Sequence, residues 1–77
     1  MTQNDKVVDF LMRNAGMTSM DAFREYGITR LSARIHELRA KGYDIETFMT
    51  DVVNRYDEKC RVAMYILHFL PDGEAVW

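Results

Sequence analysis

Apolar positions change their period once along this chain. Up to about residue 42 they recur at helical spacing, and beyond it they follow the two-residue repeat of strands. In residues 5–15, DKVVDFLMRNA, Val7, Val8, Phe10 and Leu11 gather on one side, with Asp5, Asp9 and Arg13 elsewhere. That pattern predicts an amphipathic first helix. Asn4 or Asp5 is placed to cap its start, and Gly16 to end it. Thr18-Ser19-Met20-Asp21 reads as a capping box with Asp in place of the preferred Glu. It predicts a short second helix over 19–26 that buries Ala22, Phe23 and Tyr26. Gly27 suits the left-handed residue that closes such a helix, and Ile28 would plug the core from the turn. Thr29 is then placed to cap a third helix over 30–41, with Leu31, Ile35 and Leu38 as its buried stripe. Gly42 stops it.

Residues 43–53 and 60–69 are rich in Tyr, Ile, Phe, Val and Thr and predict two strands, with 54–59 as the polar tip of a hairpin. In the first strand Ile45 and Thr47 share one phase, and Phe48, Thr50 and Val52 the other. A bulge near residue 47 or 48 would reconcile them. The second strand alternates better, with Val62, Met64 and Ile66 on one face. The order of elements predicts an α+β fold, a winged helix-turn-helix, with three helices followed by a two-stranded β-hairpin wing. Residues 1–70 form the domain. Residues 71–77 form a tail that starts on a turn signal, lacks periodicity and is expected to be mobile, with Trp77 available to dock or to meet a partner.

A length of 77 residues allows one domain with a thin core and leaves little room for an enzymatic cleft. No apolar run is long enough to span a membrane, and the polar, acidic MTQNDKVVDF start does not read as a signal peptide. The lone Cys60 cannot form an internal disulfide, which fits a reducing cytoplasm. Next to Lys59 and Arg61 it reads as a small strand residue. His36 and His68 lie far apart and, with one cysteine, make no metal-ligand pattern. No nucleophile–base spacing and no phosphate-binding glycine loop is present, so neither enzyme activity nor a cofactor is expected.

Charge then changes the picture. The chain carries a net −2, but residues 29–41 hold four basic residues against one acidic, a net +3. The remainder holds six basic against eleven acidic, a net −5. On a helix at about 100° per residue, Arg30, Arg34 and Lys41 flank the buried stripe on one side, and Ser32 and Arg39 on the other. Ala33, His36, Glu37 and Ala40 lie opposite the core. Small residues at the middle of the outer face permit close approach, and basic arms at its edges suit phosphates on both sides of a major groove. The expected partner is therefore double-stranded DNA. Arg30 and Arg34 are the candidates for direct contact. Thr29 and Ser32 are candidates for phosphate near the helix N-terminus, Thr29 being equally suited to a plain cap. His36 reads either as a base or phosphate contact or as an ordinary surface histidine. Arg39 and Lys41 either meet the backbone or balance the helix dipole. Arg55 and Lys59 on the wing would reach the neighbouring backbone.

The run Met17–Phe23, then Tyr26–Arg39 and Gly42-Tyr43, resembles the small helix-turn-helix domains common in phage and prophage genes. The later NRYDEKCRVAMYIL, residues 54–67, is similar to that family's wing, so the resemblance covers about residues 5–68. It implies a winged-helix fold and a DNA-binding role, as a transcriptional regulator or an excisionase-like factor. The acidic wing tip, Asp57-Glu58, departs from that pattern. The competing expectation is a protein-interaction module on the same fold, acting on a host complex through its acidic surface or tail. A domain this small offers limited contact area, so a homodimer would help it hold DNA. Phe48, Met49, Phe69 and Trp77 are candidates for an apolar contact patch.

Overall fold

The computed structural model describes residues 2–76. Its elements run α1 (Gln3–Arg13), β1 (Met17–Thr18), α2 (Ser19–Tyr26), α3 (Leu31–Ala40), β2 (Asp44–Val53) and β3 (Lys59–Phe69). The strands form an antiparallel sheet in the order β1-β3-β2, so the sheet has three strands where the sequence predicted a two-stranded hairpin. The additional strand is short. Met17 pairs with Tyr65 and Thr18 with Met64.

The starts of α1 and α2 are each set by a capping box. For α1 the cap is Thr2, not Asn4 or Asp5. Thr2 Oγ1 accepts the Asp5 N–H at 3.1 Å, and the Asp5 carboxylate accepts the Thr2 N–H at 3.1 Å. Asp5 is thus the third-position partner of the capping box. The backbone N–H of Thr2, and then its side chain, hold the Asp5 carboxyl below its ordinary value of 3.8. A depressed carboxyl pKa stabilises the folded state above the unfolded value and ceases to do so as pH falls through the folded one. An acid titration followed by the amide signals of residues 2–6 should therefore show this cap opening below the ordinary Asp range.

At its other end α1 stops at Asn14, whose backbone N–H and Nδ2 both donate to the Phe10 carbonyl, at 2.9 and 3.1 Å. Gly16 is not the terminator. It lies beside Met64 on the neighbouring strand, where an added Cβ would sit 2.6 Å from the Met64 sulfur. Glycine here lets β1 approach β3. The second capping box forms as the sequence indicated, with Thr18 Oγ1 accepting from Asp21 N–H at 3.2 Å and Asp21 accepting from Thr18 N–H at 3.0 Å. Thr18→Ala should cost about 1 kcal/mol of stability, the usual value of such a cap, read as a lower denaturant midpoint.

The core comprises Val7 and Leu11 of α1, Met17, Ala22, Ile28, the α3 stripe Leu31, Ile35 and Leu38, and Ile45, Tyr65 and Leu67 from the sheet. Phe23, expected inside, is 56 % exposed. Ala22 and Tyr26, one turn apart, take the inward face of this short helix, and Tyr26 meets Phe10 edge-on at 6.3 Å. Phe23 is thereby turned outward.

The ribbon of β2 and β3 pairs without interruption from Ile45↔Leu67 to Val53↔Lys59. The single irregularity falls between Asp44 and Ile45, not at 47 or 48. The phase change seen in the sequence has another cause. The outer half of the ribbon leaves Phe48, Met49, Val52 and Val53 exposed, so apolar residues occupy both of its faces. The segment after β3 is a closed turn, not a loose tail. Leu70 N–H bonds Glu74 O at 2.9 Å, Val76 N–H bonds His68 O at 2.9 Å, and Ala75 bridges to Phe69. Trp77 lies outside the described residues.

Candidate nucleic-acid interface

The segment that joins α2 to α3 is four residues, Gly27 to Arg30. Gly27 takes a left-handed conformation (φ 68°), which only glycine adopts without penalty, and its N–H returns to the last turn of α2. Ile28 then enters the core at 1 % exposure and fixes how α3 leaves the turn. Thr29 does not cap α3. The cap position is Arg30, with φ −127° and ψ 62°, neither helical nor extended, and no side-chain hydrogen bond to the helix. The first N–H groups of α3 are thus left open beside an exposed guanidinium, an arrangement suited to an anion.

The structure divides the basic residues of this helix into two groups. Arg30 is exposed and makes no ion pair among the described residues, and Ser32 and His36 are likewise exposed. Ala33 is half-buried between them. Arg34 and Arg39 are engaged within the fold. Arg34 donates through Nη1 to Gln3 Oε1 at 3.0 Å and sits 2.6 Å from Glu37 Oε1, which ties α3 to the start of α1. Arg39 donates to the Ile45 carbonyl at 3.0 and 2.7 Å and to Thr47 Oγ1 at 2.7 Å, which ties α3 to the base of the wing. These two side chains add polar links to the packing of Leu31, Ile35 and Leu38 in the core. Arg30 is the one of the three arginines whose charge faces outward unspent.

The wing is ordered by its own turn. Asn54 Oδ1 accepts the N–H groups of Tyr56 and Glu58 at 2.9 and 3.1 Å, and Asp57 adopts a positive φ of 62°. Arg55 lies over the Tyr56 ring at 5.8 Å, and Lys59 opens β3, both exposed. Residues 51–61 hold three basic and three acidic side chains, so the wing carries no net charge.

Two positions missed by sequence reasoning lie on α2. Ser19 and Arg24 line a groove of about 740 Å³ between this helix and the wing residues Val52, Val53 and Asn54. Ser19 and Thr29 also line an apolar hollow with Met20, Phe23 and Ile28. The starts of α2 and α3 and the outer wing thus form one continuous surface. Nothing in the local sequence around Arg24 marks it, because the groove exists only where the wing strands lie beside α2.

Among the described residues no cluster of His, Cys, Asp or Glu could hold a metal, and no helix is long and apolar enough to cross a membrane. No curated protein matches the chain. The family model described as winged helix-turn-helix domain matches residues 2–68, which is the whole of the helical layer and the sheet to within one residue of its end. The chain belongs to the winged helix-turn-helix domain family.

Proposed function

We propose that this protein binds double-stranded DNA, with α3 in the major groove and the wing against the adjacent backbone. The observation that carries the reading is the outward face of α3. Exposed Arg30, Ser32 and His36 surround the small Ala33 beside an uncapped helix N-terminus, while Arg34 and Arg39 hold the helix in place. A helix presented in this way can enter a groove and place a guanidinium on a base edge or phosphate. Binding is sequence-specific, in a cytoplasmic protein of phage or prophage type without catalytic activity. It serves as a transcriptional regulator or an excisionase-like factor, a role that rests on the likeness of residues 17–39 to such domains.

The test is fluorescence anisotropy of the purified protein with labelled duplexes, one of mixed sequence and one from the flank of its own gene, over a salt series. Saturable binding should weaken with salt on a slope worth about three to six phosphates. The flanking duplex should bind more tightly than the mixed one. Absence of binding at low salt would overturn the reading.

A further inference from the structure

β2 is the outer strand of the sheet, and two bonds show which of its backbone groups lie open. Asn54 N–H bonds Glu58 O across the ribbon at 2.9 Å. Even-numbered residues of β2 therefore turn their backbone groups toward β3, and Thr47, Met49, Asp51 and Val53 turn theirs away. The second bond agrees, because Arg39 reaches the Ile45 carbonyl from the side away from β3. Arg39 covers the base of this edge, and among the described residues nothing covers it from 48 to 53. The exposed stretch contains no Lys and no Pro, the residues that usually block an edge from pairing. The opposite margin of the ribbon, by contrast, carries Lys59 and Arg61.

We propose that a second copy of this chain pairs with that edge, antiparallel, about a two-fold axis through Thr50. A two-fold axis perpendicular to a sheet keeps each face on its own side, so the register must centre on a residue. Centring on Asp51 would set two carboxylates against each other. Centring on Met49 would slide the pairing toward the base that Arg39 covers. Centring on Thr50 sets Phe48 opposite Val52 twice on the outer face, both about 40 % exposed in the single chain. It also sets Asp51 opposite Met49 and Glu46 opposite Asn54, so no acid faces an acid. The product is a continuous six-stranded sheet carrying two α3 helices related by symmetry.

A standard interface covers about 800 Å² per partner, roughly a seventh of the 5368 Å² surface of this chain. A seven-residue edge provides less, so the dimer is weak, with a dissociation constant in the range of about 10–500 µM. The inference does not depend on DNA binding and is tested without DNA. Sedimentation velocity over a concentration series should show a reversible monomer–dimer equilibrium. The doubly substituted F48K/V52K chain should remain monomeric, and F48K/V52E, which sets opposite charges across the same register, should dimerise again. A chain that is monomeric at about 1 mM, or an F48K/V52K chain that dimerises like the parent, overturns the proposal. Should either variant fold poorly by circular dichroism, Thr50→Cys in a Cys60→Ser background decides. Oxidised glutathione should convert it to a covalent dimer, and Val62→Cys in the same background should stay monomeric. Equal cross-linking of the two would contradict the register.

Discussion

Arg30→Ala should weaken binding to duplex DNA by about 10- to 100-fold, the range of one charge-assisted base or phosphate contact, and leave thermal stability unchanged. The separation of the two readouts follows from the structure. Arg30 is exposed and takes part in no ion pair or side-chain hydrogen bond among the described residues, so its truncation breaks none. Arg34→Ala should behave differently. Its guanidinium joins Gln3 and Glu37, so its loss loosens the α1–α3 junction and lowers stability together with affinity. Anisotropy titrations and melting curves on the two variants distinguish a residue that meets DNA from one that positions the helix. Equal loss of stability in both would show that Arg30 has a structural role.

Ile35→Ala should destabilise the domain by about 2–5 kcal/mol. Ile35 is 1 % exposed at the middle of α3, between Leu31 and Leu38. The cost combines lost burial with a cavity that a core this small cannot easily close. A domain of this size holds a net stability of only about 5 kcal/mol, so the variant should be largely unfolded near its working temperature. Chemical denaturation followed by circular dichroism measures this directly. A loss below about 1 kcal/mol would mean that α3 is held by Arg34 and Arg39 more than by its apolar face.

Much of the fold was legible in residue patterns. The α3 stripe, the capping box at Thr18–Asp21, the glycine turn at Gly27 and the Ile28 plug each follow from local rules, and each stands in the structure as read. What escaped depended on partners distant in the chain. β1 is two residues long, too short to show periodicity, and exists because β3 offers it an edge. Gly16 reads as a helix stop until Met64 is known to lie beside it. The caps of α1 and α3 were misplaced by one to three residues because Thr2, Asn4 and Asp5 are all good cap types, and because Arg30 takes its position without a side-chain bond.

The candidate site divided along the same line. Helical spacing correctly placed the basic residues on the flanks of α3, but it could not show which were engaged. Arg34 and Arg39 find their partners at Gln3 and at Ile45 and Thr47, and only the packed fold reveals that, of the three arginines, Arg30 is the one left to face a ligand. Arg24 and Ser19 join the surface because the wing stands beside α2, a proximity no local pattern encodes.

The most direct test of the account is a titration of the isotope-labelled protein with a short duplex, followed by backbone amide shifts. The account predicts saturable changes concentrated at Thr29–His36 and at Arg55–Lys59, with weaker ones at Ser19 and Arg24. Changes confined to α1, or to the turn after β3, would contradict it.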